Sequence, residues 1–249
     1  MSTIPKIIHY CWFGGNPLPE SAIKCINSWK KYFPDYEIKE WNEDNFDVNV
    51  IPYTREAYEA KKYAFVSDYA RFVVLEREGG LYFDTDVEMI KPMDDILEKG
   101  GFMGMEVPAL DNSNYPIINP GLGLAVEPGH EIYKELLEVY KTFRFKNEDG
   151  TLNQKTIGYY TTEILEKYGL RATNDIQEVG ELWIYPKEYF NPLDDNTGIL
   201  RITENTRTIH WYSKTWIKPR PVRTWLVRRL HRIFGVDFLS SIKKRILNK

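Results

Sequence analysis

Asp84 and Asp86 stand one residue apart in "GGLYFDTDVEMIKP", residues 79–92, a run that otherwise has the composition of a buried strand. Taking a carboxylate out of water costs on the order of several kcal/mol unless a partner compensates it. If the strand ends at Asp84, the following turn can bring Asp86 round to a shared site. Two such oxygen ligands suit Mg²⁺ or Mn²⁺, which commonly keep open positions for water and substrate phosphate. The plainer alternative is a solvated strand end with two exposed acids. Upstream, "FVSDYARFVVLEREGG" places Asp68 and Arg71 three apart on a helix, where they share a face and can pair. Their neighbours Phe65, Val66, Phe72, Val73 and Leu75 argue against a fully solvated ion pair. The pair either clamps a ligand hydroxyl or phosphate beside the Asp84–Asp86 turn, or ties the helix to the sheet. His210, in "TIHWYSKTW", is a possible ligand for Mn²⁺, although a lone histidine is more often structural.

These residues need a scaffold, and the hydrophobic pattern supplies one. "PKIIHYCWFGG" reads as a buried strand ending at Gly14 and Gly15. "PESAIKCINSWKKYF" then carries Ala22, Cys25, Ile26 and Trp29 at helical spacing, and "YEIKEW" alternates as a strand. This β-α-β opening predicts an α/β domain with a largely parallel sheet. Residues 54–78 form the longest helical pattern, stopped by Gly79 and Gly80. Later strands are expected at "INPGLGLAV", "ELWIYP" and "TRTIHWYS", with helices at "HEIYKELLEVYKTFRF" and "TTEILEKYG". With no internal repeat or low-complexity linker before residue 218, the expectation is one catalytic domain over 1–217 and a tail over 218–249.

Composition narrows the class. The 249 residues are 43% hydrophobic and 28% charged, an ordinary globular mixture. The net charge of −3 hides an asymmetry: residues 218–249 hold ten basic residues and one acid, so they carry +9 and the remainder −12. In the tail, Val222, Trp225, Leu226, Leu230, Ile233 and Phe234 recur at helical spacing, with Phe238, Leu239, Ile242 and Ile246 continuing beyond Gly235. That pattern suits an amphipathic helix on an anionic membrane surface, or else a helix packed on the domain. The acidic body argues against nucleic acid as a partner. Two cysteines, Cys11 and Cys25, are too few for a disulfide framework. With neither a secretory h-region nor a membrane-spanning run in view, the expected location is cytoplasmic, peripheral on the inner face of the bacterial plasma membrane.

Taken in order, "KIIHYCWFGG", "SDYAR", "GGLYFDTDVE" and "HWYSKTW" resemble the glycosyltransferases that share the DxD sugar-binding region. These include bacterial capsular and lipopolysaccharide sugar transferases, the yeast initiating α-1,6-mannosyltransferases and, more distantly, the glucosyltransferase domain of the large clostridial toxins. The resemblance covers residues 4–126 and returns around 206–216. It implies a GT-A fold, a mixed and mainly parallel sheet flanked by helices, and transfer from a nucleotide-sugar donor with retention at the anomeric carbon. By that resemblance Trp12 would stack on the base, a contact worth roughly 1–3 kcal/mol. Asp68 and Arg71 would hold the donor sugar, with Tyr82 beside the nucleotide. Asp84 would contact ribose and sugar hydroxyls, Asp86 would bind the metal directly with Asp84 beside it, and His210 would complete the metal site. Asn119, in "INPGLGL", falls where the family places an amide near the donor sugar. Ser213 and Trp216 would belong to a loop closing on the diphosphate. His9 and Cys11, in the Trp12 motif, join the candidate nucleotide-sugar contacts, although His9 by itself reads as a strand or core residue.

The cofactor implied is Mn²⁺, or Mg²⁺, and the donor favoured is a UDP-linked galactose or glucose, plain or N-acetylated, over GDP-mannose. The acceptor expected is a growing, lipid-linked surface polysaccharide. Two rivals stand beside this reading. A haloacid-dehalogenase-type phosphatase would want Thr or Val where Glu88 stands. A non-catalytic nucleotide-sugar-binding protein tethered by the tail would bind donor without turning it over.

Overall fold

The computed structural model describes residues 4–111, 114–213 and 221–235. The chain opens with β1 (Ile7–Cys11), α1 (Glu20–Tyr32) and β2 (Glu37–Trp41), the expected β-α-β unit with β1 and β2 parallel. In α1 the four apolar residues at helical spacing, Ala22, Cys25, Ile26 and Trp29, are all buried. Trp29 also donates its indole N–H to the Val87 carbonyl at 2.7 Å, which fixes α1 across the strand beyond the aspartates.

The long helical pattern of residues 54–78 is two helices, α2 (Pro52–Glu59) and α3 (Tyr63–Glu78). The break falls at Lys61, whose φ of 55° is left-handed, and Lys62 N–H reaches back to the Ala57 carbonyl at 2.8 Å. A single helix would leave one end of this apolar pattern without a core. Folding α2 back on α3 buries Tyr53, Thr54 and Ala57 as well as the α3 face. At the other end α3 passes directly into β3 (Gly80–Tyr82). A Cβ on Gly79 would meet the Pro128 nitrogen at 2.8 Å, and one on Gly80 the Ile7 carbonyl at 2.7 Å, so this sharp reversal needs both glycines.

Beyond the aspartates come β4 (Val87–Met89), α4 (Asp94–Leu97) and β5 (Phe102–Val107). The single strand expected at "INPGLGLAV" is instead β6 (Ile117–Ile118), a 3₁₀ turn (Pro120–Leu122) and β7 (Leu124–Val126). Pro120 begins the turn, and Gly123, with φ 133°, ends it. The chain continues through α5 (Glu131–Lys141), α6 (Ile157–Lys167), β8 (Gln177–Val179), β9 (Leu182–Tyr185) and α7 (Lys187–Phe190). A small hairpin, β10 (Leu193–Asp194) and β11 (Ile199–Leu200), leads to β12 (Thr208–His210), and α8 (Pro221–Phe234) follows.

The main sheet runs β2-β1-β3-β7-β5-β9-β8, with β6 on the edge of β5. β7 and β8 run against the other five strands of that path, so the sheet is mixed and mainly parallel, the α/β architecture expected. Alternation along β3 divides the core: Leu81 and Phe83 join Trp29, Met93 and Phe190, while Tyr82 joins Phe72, Tyr133 and Ile164. Beyond the carboxyl ends of β1 and β3 the chain turns away, and there, as in open α/β sheets generally, a cleft forms.

Candidate active site

The cleft holds about 720 Å³ and is walled by residues from both halves of the chain, including Trp12, Asp68, Arg71, Asp84, Asp86, Glu106, Asn119, Asp195, His210 and Ser213. At its floor lies the answer to the two carboxylates. Arg71, 3% exposed, extends from α3 and places Nη2 2.9 Å from Asp68 Oδ1 and 3.2 Å from Asp84 Oδ1. Its guanidinium also lies over the Tyr82 ring, 4.7 Å from the centroid, and Tyr82 donates its hydroxyl to Asp84 Oδ1 at 3.1 Å. One permanent cation thus serves two acids, Asp68 buried and Asp84 with its side chain 31% exposed to the cleft. Burial pushes the Asp68 carboxyl up to about 7 despite the pull of Arg71. Asp84 is likewise raised by burial, with Arg71 opposing.

Asp86 is held differently. The backbone turns after Asp84, so Asp86 faces β12 and the loop that follows it. Its Oδ1 lies 3.1 Å from His210 Nε2, and its Oδ2 accepts from Ser213 N–H at 2.8 Å and Ser213 Oγ at 3.0 Å. The Asp86 carbonyl also accepts from Trp211 N–H at 2.9 Å. Burial opposes ionisation of Asp86, but the neighbouring His210 charge and these hydrogen bonds outweigh it and hold the carboxyl at about 2. His210 is correspondingly raised: burial pulls it down and Asp86 more than offsets this. Its Nδ1 has no hydrogen-bond partner among the described residues.

Asp84, Asp86 and His210 offer one ligand atom each, all within 4.8 Å of one another. Asp84 spends Oδ1 on Arg71 and Tyr82, while its Oδ2 lies where a Cβ on residue 121 would overlap it. Only glycine leaves that oxygen its place. Two carboxylates and an imidazole whose Nε2 already lies beside Asp86 form a donor set that fits Mn²⁺, and with less reliance on nitrogen Mg²⁺.

The other candidates fall into four groups. Trp12, half-buried, lines the mouth and is steadied by its indole N–H to the Asn16 carbonyl at 2.6 Å. Cys11 lines the same wall, and burial pushes its thiol up to about 12, so it is a neutral, apolar neighbour. Asn119 also lines the cleft, its Oδ1 accepting from Gly121 N–H at 2.7 Å and its Nδ2 donating to Glu106 Oε2 at 3.1 Å. Tyr82 acts behind the wall, through Arg71 and Asp84. His9 is the correction: it is fully buried on β1, with Nε2 2.9 Å from the Gly79 carbonyl and Nδ1 accepting from Trp41 Nε1 at 3.0 Å. Its side chain ties β1 to β2 and to the end of α3, away from the cleft, because alternation puts it beside Trp41 rather than at the strand end. Trp216 lies outside the described residues.

The sequence reading missed the far wall. Glu106, at the end of β5, joins Asn119 to Tyr212, whose hydroxyl it accepts at Oε1 at 3.1 Å. Tyr212 also receives Asn191 Nδ2 at 2.6 Å, packs its ring 4.2 Å from that of His210, and has a left-handed φ of 52°. Glu106 therefore braces the loop that carries Ser213 to Asp86. An acid closing the apolar run "FMGMEV" was the available signal, and β5 itself was not anticipated.

Residues 19–102, which hold α1, the Asp68–Arg71 pair and both aspartates, match the family described as glycosyltransferase sugar-binding region containing DXD motif. Over these residues the chain carries a glycosyltransferase DXD region. It is 26% identical over 200 residues to the "Uncharacterized glycosyltransferase L373" of Acanthamoeba polyphaga mimivirus, covering 76% of this chain and 75% of that one. It is 29% identical over 114 residues to "Inositol phosphoceramide mannosyltransferase 1" of Schizosaccharomyces pombe, 41% of this chain and 34% of the other, so it spans about a third of that relative. The solved "PaToxG Glycosyltransferase" overlays 66% of this chain and 69% of its own chain, with 20% identity and a TM-score of 0.49.

Proposed function

We propose that this protein moves a hexose, of galactose or glucose type, from a UDP-linked donor to a saccharide acceptor with retention of anomeric configuration. The observation that carries the reading is the convergence of Asp84, Asp86 and His210 on one point beside the Arg71 clamp, in a cleft with a tryptophan at its mouth. Trp12 offers an indole face to the base, and Asp68 and Arg71 offer polar atoms to the sugar. Asp84, Asp86 and His210 would hold Mn²⁺ or Mg²⁺, which when bound supplies Lewis-acid stabilisation of the charge on the leaving diphosphate. Ser213, tied to Asp86, would bring its loop over the diphosphate and exclude water.

No described pair of carboxylates stands as nucleophile and acid across an open gap, since Asp68 and Asp84 share Arg71 and Glu106 accepts from Asn119 and Tyr212. Same-face attack is therefore favoured. The glycosyl–phosphate bond breaks as the acceptor oxygen bonds the anomeric carbon, and the acceptor's proton passes to the departing phosphate oxygen. A GDP-mannose donor is the second reading, favoured by the mannosyltransferase names of the yeast relatives. The acceptor we favour is lipid-linked and the location the inner face of a bacterial membrane, where such a product would feed a surface polysaccharide.

The test is release of nucleoside diphosphate from a panel of UDP- and GDP-sugars, without acceptor, in Mn²⁺ and then in EDTA. Metal-dependent release from one donor, lost in Asp86→Ala, supports the reading and names the sugar. If no donor is turned over and neither UDP nor GDP binds, the reading fails.

A further inference from the structure

The C-terminal helix α8 has two faces that do different work. One face grips the β10–β11 hairpin. Arg228 Nε donates to the Asp195 carbonyl at 3.1 Å, and its Nη2 meets Asp195 Oδ1 at 3.0 Å. His231 Nδ1 lies 3.1 Å from the Asn196 carbonyl, while Arg232 bonds the Thr197 and Gly198 carbonyls at 2.6 and 3.1 Å. Three basic side chains within five successive helical residues thus hold four successive residues of one tight turn. Gly198, with φ +67°, leaves room for them: a Cβ there would lie 3.0 Å from Arg228 Cδ. Asp195, the first residue held, also lines the active-site cleft.

Beside it runs an apolar stripe without cover among the described residues. Val222, Trp225, Leu226 and Ile233 are 78%, 59%, 49% and 62% exposed, and at spacings of 3, 1 and 7 they fall on one side of the helix. Arg229 lies on the same side, its guanidinium 5.3 Å from the Trp225 ring centroid, and Arg223, also exposed, flanks the stripe beside Val222. Exposed aliphatic residues, a tryptophan and arginines on one helical face are complementary to a bilayer interface carrying negative charge. A protein partner would need acids placed against Arg223 and Arg229, whereas anionic headgroups supply them everywhere.

We propose that α8 seats this face on an anionic lipid surface and, through Arg228, His231 and Arg232, fixes the 195–198 rim of the cleft towards that surface. The inference rests on the transferase reading for its consequence, that the acceptor enters beside Asp195 from the lipid side, but not for the docking itself.

The experiment is hydrogen exchange and co-sedimentation of the full chain with phosphatidylcholine vesicles, with and without phosphatidylglycerol. Only the anionic vesicles should bind, slowing exchange across 222–233 and also across 194–200. Trp225→Ser with Leu226→Ser should weaken binding about tenfold or more, and Arg229→Gln about fivefold, with donor turnover unchanged. Arg228→Ala with Arg232→Ala should keep vesicle binding while exchange at 194–200 rises and no longer responds to lipid. Absence of vesicle binding, binding that survives the stripe substitutions, or a dimer that those substitutions dissociate would overturn the docking. Exchange at 194–200 that ignores both lipid and the arginine substitutions would overturn the coupling. Donor turnover, measured on the same samples, reports separately whether the transferase reading stands.

Discussion

The two aspartates of the DXD run are two residues apart and are stabilised in opposite ways. Asp84 is fixed by a permanent charge: Arg71 reaches it from a helix whose register is set by packing, and Tyr82 on its own strand completes the hold. Asp86 is fixed by a titratable imidazole and a loop, His210 and Ser213, which come from the far end of the sequence. The first half is a floor built from neighbouring elements, α3 and β3. The second closes only when β12 and its following loop are in place, and its partner can lose a proton. A site built this way keeps a fixed frame for sugar and nucleotide, and leaves the side that meets the diphosphate able to adjust.

The sharpest way to break that contrast is at the floor. Arg71→Ala should cost about 3–5 kcal/mol of stability, because it strands the buried Asp68 without its cation and takes from Asp84 the same partner. Thermal unfolding would register it, and Arg71→Lys should recover only part, since one ammonium cannot reproduce the forked contact with two carboxylates and the Ser67 carbonyl. On the adjustable side the order reverses. Asp86→Ala should lower nucleoside diphosphate release about a hundredfold or more, with a smaller melting loss than that of Arg71→Ala. A melting loss as large as that of Arg71→Ala would erase the distinction between floor and loop.

Gly121→Ala lies between them. The added methyl overlaps the Asp84 Oδ2 position, so about 1–3 kcal/mol of stability should go, together with cation affinity. Retained cation affinity would mean that Asp84 Oδ2 is not a ligand.

The pH behaviour separates the halves again. In the metal-free chain His210 has its pKa raised and Asp86 has its lowered to about 2. The histidine contribution is fully present below its unfolded pKa of about 6.5 and is lost as pH rises through the raised folded value. The aspartate contribution is present above about 3.9 and is lost as pH falls towards 2. The metal-free pair is therefore most stabilising on the acidic side of neutrality. A cation needs the deprotonated imidazole, so its affinity should rise with pH over the range where His210 loses its proton. A potentiometric or calorimetric titration would follow this, and His210→Ala should flatten the slope. The smallest effect is expected at Glu106→Gln, which keeps one acceptor and forfeits the other: roughly 1 kcal/mol, read as a few-fold loss of turnover with little change in donor KM.

Legibility followed the same divide. The floor was readable because its residues are close in sequence: a helix with an acid and a base three apart, a glycine pair, then the strand and its aspartates. His210 and Ser213 entered through the family resemblance, since no local pattern ties residue 210 to residue 86. Glu106 and Tyr212 escaped altogether. Their strand, "FMGMEV", has neither alternation nor β-branched enrichment until Val107, so it carries little period-2 signal, and its place beside β7 and β9 depends on crossovers that sequence spacing does not encode. The helix break at Lys61 and the turn at Pro120 were likewise decided by which core each half could reach. His9 illustrates the converse error: a histidine inside a functional motif was counted with the site, whereas strand alternation turned it towards Trp41.

The central claim is that Asp84, Asp86 and His210 form one cation site, and Mn²⁺ binding followed by the loss of its free electron paramagnetic resonance signal tests it most directly, with UDP present. The account predicts a single Mn²⁺ per chain, lost in Asp86→Asn and His210→Ala while both variants keep the parent's fold by circular dichroism. Stoichiometric binding that survives both substitutions would contradict it.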